Sequence, residues 1–300
     1  MRAAVDKYTG RQPGGGQSFR FSLAGAQAKI ALSRKPDGQW ATPNPRIATT
    51  HILKPVRVGD RSFVSEIDLV EQLTLGAARE LGLDAARSEV WTAPSGDLTA
   101  LVVDRFDRWI NDEGIVKRDH QEDLLQALGV PPEKKYQHLD GGPGVGMAAQ
   151  LFRNKVAPSQ RGAVAEAFFK GLVFNVGILG TDAHAKNYSL LLKDQSVHLA
   201  PLYDLISAGA HMVDTDSLTF PMAINGEYKF TRIGPADLVK EGRRLGLSGE
   251  RSTQLVEQIL AGIPAALERS AVHSGHQELG ERMMEGINQI SPARYFANDR

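Results

Sequence analysis

The dominant hydrophobic period of this chain shifts from strand-like to helical near residue 118, and that shift limits the folds open to it. Ahead of it, apolar and polar residues alternate in short runs: Phe19, Phe21 and Leu23, then Lys29 to Ser33, Gln39 to Thr42, Thr49 to Lys54 ending at Pro55, Ser88 to Thr92, and Thr99 to Val103. A period of two turns one face of each run to a core, which predicts strands. Turn residues separate the runs at Ala24-Gly25-Ala26-Gln27, Pro36-Asp37-Gly38 and Pro94-Ser95-Gly96. One helix interrupts the series, because Ile67, Val70, Leu73, Leu75 and Ala78 fall near helical spacing between Ser65 and Leu81, and Gly82 stops the pattern. Beyond residue 118 the spacing is helical over His120–Leu128, Val145–Arg153, Ser159–Leu179, Ala236–Leu245, Gly249–Ala271 and Gln277–Ile290. Strand returns there as a hairpin, Tyr188–Leu192 and Val197–Leu202 around the turn Lys193-Asp194-Gln195-Ser196, and as a weaker run near Ser217–Ala223. The expectation is an α+β chain with a flexible, glycine-rich opening segment over 1–17, a small mixed lobe over 18–104 and a larger helical lobe over 105–300.

Composition narrows the function classes. Thirty-five basic residues balance thirty-five acidic ones, so no strongly basic surface points to DNA binding by the chain itself. Cysteine is absent, which removes disulfide frameworks and thiolate metal sites and makes a reducing cytoplasm the expected compartment. The start, Met1-Arg2-Ala3-Ala4-Val5-Asp6-Lys7, has no signal-peptide pattern. The most apolar stretch, Ala163 to Leu179, carries Glu166 and Lys170 and reads as a buried helix, so no membrane partner is expected.

The candidate chemistry sits around the predicted hairpin. Asp182 and Asn187, in Gly180-Thr181-Asp182-Ala183-His184-Ala185-Lys186-Asn187, have the D-x-x-x-x-N spacing with which a phosphoryl-transfer loop carries its base and a metal ligand. A carboxylate must orient and deprotonate the acceptor hydroxyl, while a neutral amide oxygen helps hold Mg²⁺ without repelling phosphates. The hairpin would return Asp204, in Leu202-Tyr203-Asp204-Leu205, to the neighbourhood of Asn187 as a second carboxylate. Asp and Asn at such positions also cap helices and close turns, so the reading needs a phosphate cradle and a lysine elsewhere. Ser22-Leu23-Ala24-Gly25-Ala26-Gln27-Ala28-Lys29 supplies small residues at a hairpin tip, where backbone amides of Ala24 and Gly25 can approach phosphate oxygens, with Lys29 within reach. Lys54 ends an apolar strand ahead of a helix bearing Glu66 and Glu71; a strand lysine aligned by a helix carboxylate contacts α- and β-phosphates in kinases. Glu71, inside the helix, is the preferred partner, and Glu66 the alternative. Gly141-Gly142-Pro143-Gly144 reads as a turn with no chemistry assigned.

Taken in order, Ser22–Lys29, Thr50-His51-Ile52-Leu53-Lys54-Pro55, Arg105-Phe106-Asp107-Arg108, His120-Gln121-Glu122-Asp123, Gly141–Gly144, Thr181–Asn187 and Tyr203-Asp204 resemble the motif series of the HipA family, serine/threonine-protein kinases of bacterial toxin–antitoxin modules. The resemblance implies a bilobal protein-kinase-like fold that uses ATP and Mg²⁺. It implies Asp182 as catalytic base, Asn187 and Asp204 as metal ligands, and Lys54 and Lys29 as phosphate contacts. By the same resemblance the backbone from Asp104 to Phe106 takes adenine, Asp107 lies near the ribose, and Ser22 is the autophosphorylated loop serine. His184 is expected to orient the loop through a hydrogen bond and Lys186 to neutralise the transferring phosphoryl group. The implied partners are a protein substrate of translation such as an aminoacyl-tRNA synthetase and a helix-turn-helix antitoxin that connects the kinase to operator DNA. Only about twenty residues precede the glycine-containing loop, so the sequence resembles a truncated member or the split, HipT-type arrangement with the N-terminal subdomain as a separate small protein. Where the family has Asn-Glu in the helix, this chain has Val70-Glu71. Two alternatives stand beside this reading: a small-molecule or lipid kinase of related fold, and a catalytically silent antitoxin-binding partner.

Overall fold

The computed structural model describes residues 1, 29–35, 37–43, 48–57, 66–211 and 216–296. Ser22, Ala24, Gly25, the hairpin tip that carries them and residues 2–17 of the opening segment lie outside these. The chain divides into two compact units, the first comprising Met1–Gln72 and Ala86–Arg118, the second Leu73–Ala85 and Asp119–Arg300.

The first unit is built on an antiparallel sheet of β1 (Ile30–Arg34), β2 (Trp40–Ala41), β3 (His51–Arg57), β4 (Ser88–Thr92) and β5 (Leu98–Asp104), in the order β2-β1-β3-β5-β4. Leu53 on β3 and Val102 on β5 pair and join Ile30, Leu32, Ala93 and Leu98 in a core closed by Trp40 and Trp91. Alternation along β3 turns Lys54 to the face opposite Leu53. The strand was expected to stop at Pro55, but it continues to Arg57 because Pro55, Val56 and Arg57 keep register with Ala100, Thr99 and Leu98. The helix α1 (Ile67–Glu80) contributes its first residues, through Gln72, to this unit and the rest to the second. A short hairpin of β6 (Arg108–Ile110) and β7 (Val116–Arg118), which periodicity did not signal, also belongs here. The unit therefore extends to Arg118, past the Asp104 boundary expected from sequence.

The second unit is mainly helical: α2 (Leu124–Leu128), α3 (Gln137–Asp140), α4 (Val145–Lys155), α5 (Pro158–Gly177), α6 (Pro235–Arg244), α7 (Gly249–Ser274) and α8 (Gln277–Ile290). Helix α5 starts with proline at its first position, where the missing N–H costs nothing. Its C-terminal half buries Phe168, Phe169, Leu172, Val173 and Phe174 completely, so it is the core helix its composition suggested. Among the described residues no helix is long and apolar enough to cross a membrane.

The segment His120–Leu128 corrects the sequence reading. Only Leu124–Leu128 is helical; His120–Asp123 is β8, paired with β9 (Ser189–Lys193), which pairs in turn with β10 (Ser196–Leu199). The helix begins late because Asp123 and Gln126 form a reciprocal capping box, each side chain accepting from the other's backbone N–H at 2.9 Å. The run near Ser217–Ala223 becomes β11 (Thr219–Ile224), paired with β12 (Glu227–Lys229).

Candidate active site

In the first unit the lysine and its carboxylate meet. Lys54 Nζ donates to both oxygens of Glu71, at 2.6 and 2.7 Å, with 4% and 1% of the side chains exposed. Glu66 differs because it precedes the helix at φ 66°, so its side chain does not share the helical face that presents Glu71. Asp68, one turn before Glu71, accepts from Thr99 Oγ1 at 2.6 Å and fixes the start of the helix against β5. Lys29 lies immediately before β1 and is half-buried.

The stretch after β5 is held by ions. Asp107 takes Arg105 Nε on one oxygen at 3.0 Å and Arg105 NH2 on the other at 2.8 Å, and Arg108 also donates to it. These guanidinium groups hold its carboxyl below the usual range against the opposing effect of burial. The backbone N–H groups of Asp104 and Arg105 are already bonded, to the carbonyls of Arg87 and Thr50. A purine edge at Asp104–Phe106 would therefore use other backbone groups, and a ribose hydroxyl at Asp107 would share the carboxylate with two arginines.

In the second unit the candidate loop residues are fixed by a sequence of local constraints. Helix α5 ends in Ile178, Leu179 adopts φ 60°, and Gly180 N–H bonds to the Asn175 carbonyl at 2.7 Å. A Cβ on Gly180 would stand 2.7 Å from Asn175 Oδ1, so glycine is required by close approach. The Asp182 carbonyl then accepts twice, from His184 N–H at 2.8 Å and from Asn187 Nδ2 at 2.7 Å. With its amide nitrogen committed inward, Asn187 presents Oδ1 as its remaining acceptor. Ala185–Asn187 forms a single 3-10 turn, and Tyr188 is buried behind it.

Asp204 is brought into this neighbourhood by ties between the two stretches. Tyr203 Oη donates to the Lys186 carbonyl at 2.7 Å and bonds Ser189 Oγ at 2.5 Å. Burial raises the Tyr203 phenol far above its ordinary value, so it stays a donor. Ser207 Oγ bonds the Ile178 carbonyl at 2.5 Å and Ala208 N–H bonds the Leu179 carbonyl at 3.0 Å. Leu202 N–H bonds the Asp84 carbonyl at 2.8 Å, and the Leu205 carbonyl accepts from Thr74 Oγ1, pinning Asp204 on both sides. Asp204 itself sits at φ 51°, a left-handed conformation that non-glycine residues adopt mainly where surroundings enforce it.

Asp182 is 41% exposed, whereas His184 beside it is 6% exposed. Burial lowers the His184 pKa, opposed by the Asp182 charge, which leaves a neutral imidazole near neutral pH. Its Nε2 stands 3.6 Å from Asp182 Oδ1, too far for a hydrogen bond. Asp182 Oδ1 instead accepts from Tyr136 Oη at 2.6 Å, a residue the sequence gave no reason to select. Burial and the Asp182 charge hold the Tyr136 phenol well above its ordinary pKa.

The oxygen donors of Asn187 and Asp204 suit a hard cation. Among the described residues no group of three or more His, Asp or Glu side chains could hold a metal ion. That donor set fits Mg²⁺ in the manner of nucleotide enzymes, where one or two protein oxygens suffice because phosphates and water complete the octahedron.

Residues 21–267 match the family described as HipA-like C-terminal domain. Y4mE of Sinorhizobium fredii, a protein provisionally named a kinase, is 40% identical over 197 residues, covering 66% of this chain and 44% of its own length. The serine/threonine-protein kinase toxin HipA of Shewanella oneidensis is 30% identical over 264 residues, covering 83% of this chain and 57% of its own. The chain thus spans about half the length of the curated relatives it matches. In solved structures, Shewanella oneidensis HipA, in a complex with HipB and operator DNA, superposes with a TM-score of 0.72 at 24% identity, over 92% of this chain and 66% of that one. The Helicobacter pylori proinflammatory kinase CtkA superposes with a TM-score of 0.55 at 12% identity, over 93% of this chain and 95% of that one. These likenesses give the fold as kinase-like.

Proposed function

The chain belongs to the HipA-like C-terminal domain family, and from that premise we propose that it is an ATP- and Mg²⁺-dependent serine/threonine-protein kinase. The observation that carries the reading is the locked loop in which Asp182, Asn187 and Asp204 are held by Tyr203 and by the Asp182 carbonyl.

In this reading Asp182 orients the acceptor hydroxyl and takes its proton. Asn187 and Asp204 hold Mg²⁺, which when bound neutralises charge developing on the phosphates. Lys54, aligned by Glu71, contacts the nucleotide phosphates, and Lys29 with the backbone of Ala24 and Gly25 completes the cradle. Phe106 and the adjacent backbone take the base, with Asp107 toward the ribose. His184 stays neutral and supports the loop by packing, so it leaves the Asp182 charge free for the acceptor. Lys186 faces the transferring phosphoryl group.

We infer further that the biology is that of a toxin–antitoxin module, with a protein of translation such as an aminoacyl-tRNA synthetase as acceptor and a helix-turn-helix antitoxin, with its operator DNA, as partner. The support is the name of the Shewanella oneidensis relative, a kinase toxin, and the assembly of that organism's HipA with HipB and operator DNA. Self-phosphorylation of Ser22 would place nearly two negative charges in a loop that cradles phosphates and so repel the nucleotide. The test is intact-mass and peptide mass spectrometry after incubation with Mg²⁺ and ATP, beside Asp182→Ala. Phosphate on Ser22 in the wild type alone is the expected result. Equal phosphate on both proteins would remove Asp182 as base, and none on either, together with no nucleotide binding, would leave a silent partner protein.

A further inference from the structure

The Asp182 carboxylate has one hydrogen bond from a side chain among the described residues, and it comes from 46 positions earlier in the chain. Tyr136 Oη holds Oδ1 at 2.6 Å while His184 Nε2 stays at 3.6 Å, so the phenol sets the rotation of the carboxylate. A carboxylate held on one oxygen presents the other in a defined direction, and the Asp182 side chain as a whole is 41% exposed.

The turn that the sequence left without chemistry builds this grip. Gly141 adopts φ 67°, which lets Gly142 N–H return to the Tyr136 carbonyl at 3.0 Å; Asp140 N–H reaches the same carbonyl at 3.1 Å, and Tyr136 N–H bonds Asp140 Oδ2 at 3.2 Å. A Cβ on Gly142 would stand 2.3 Å from the Lys134 carbonyl oxygen and 3.0 Å from that of Tyr136, so the turn closes only with glycine. Gln137 Oε1 accepts from Ala223 N–H at 2.8 Å and ties α3 to β11. The Tyr136 ring meets His184 edge-to-face at 5.1 Å, and the Lys135 ammonium lies 5.0 Å from the ring centroid. Position, orientation and donor are thus all fixed before any ligand arrives.

We propose that Tyr136 is a positioning residue for phosphoryl transfer: through the turn at Asp140–Gly144 it fixes Asp182 Oδ1 so that Oδ2 faces the acceptor hydroxyl. The inference rests on the kinase reading above. The phenol keeps its proton throughout, so the hydroxyl proton of the acceptor goes to Asp182 and nothing passes to Tyr136.

The test compares wild type, Tyr136→Phe and Asp182→Ala for self-phosphorylation and for transfer to casein, with ATP varied. Affinity for a non-hydrolysable ATP analogue is measured by calorimetry. Phenylalanine keeps the ring against His184 and Lys135 and removes only the hydroxyl. A base left to rotate should lower kcat by about 10- to 100-fold, with KM for ATP and analogue affinity within about twofold. A merely structural tyrosine would move thermal stability or affinity instead. Wild-type kcat in Tyr136→Phe, with Asp182→Ala inactive, would overturn the positioning role alone. A raised kcat would also overturn it, by showing that the phenol competes with the acceptor. Absence of transfer by the wild type would remove the kinase reading and this role together.

Discussion

Removing either charge of the Lys54–Glu71 pair should cost far more than removing both. At 2.6 Å and an effective dielectric of about 20, the attraction is about 6 kcal/mol, an upper bound on the coupling. Burial of both groups, 4% and 1% exposed, offsets most of it through lost hydration. Glu71→Leu strips a buried ammonium of its carboxylate, and Lys54→Met does the converse. Each survivor must hold its charge without that counter-ion or change protonation, and breaking such a pair costs about 3–5 kcal/mol. The double variant replaces two charges with apolar groups of similar volume and should lose about 1 kcal/mol or less. The coupling in the cycle is then at least about 5 kcal/mol, close to the Coulombic ceiling. Trp40, Trp91 and Trp109 are the chain's three tryptophans and all lie in the first unit, so urea unfolding followed by tryptophan fluorescence reads that unit directly. Additivity of the two single losses within about 0.5 kcal/mol would refute the coupling. On the proposed kinase reading, nucleotide affinity should fall in all three variants, including the stable double, because the proposed phosphate contact is gone in each that lacks Lys54 and misaligned in the other.

Asp204→Gly should separate stability from binding: glycine relieves the left-handed backbone at φ 51° by up to about 1 kcal/mol, yet the proposed metal ligand is lost. Calorimetry should show Mg²⁺–nucleotide affinity reduced with the melting temperature unchanged or raised; retained affinity would remove Asp204 as a ligand. The Glu166 carboxyl is held down to about 2, mainly by its hydrogen bonds to Arg251, against 4.5 in an unfolded chain. The unfolded state therefore binds more protons in this window, and stability from this group is present above pH 4.5 and lost as pH falls toward about 2. The loss should be about 1–2 kcal/mol, less than the full shift implies because 25% of Glu166 faces water. Arg251→Gln should flatten that limb of an acid-denaturation series, and an unchanged limb would refute the assignment.

Much of the fold could be read locally, since β1, β3, β4, β5, α1 and the core helix α5 arise from period and composition over a few residues. His120–Asp123 could not, because strand β8 exists only by pairing with Ser189–Leu192, and nothing nearby in sequence distinguishes it from the helix it precedes. The same contrast runs through the site. Asp182, Asn187 and Asp204 stand out by type and spacing within a short stretch, whereas Tyr136 reaches Asp182 across 46 residues and carries no motif of its own.

The sequence by itself determined most of the strands and helices and set Asp182, Asn187 and Asp204 within one short stretch, because those depend on backbone preference and on groups close together in the chain. Tertiary structure decided which of two glutamates meets Lys54, where the strand at His120 ends, and which side chain holds Asp182. Each is a meeting of residues distant in sequence, settled by packing and hydrogen-bond closure rather than by local preference.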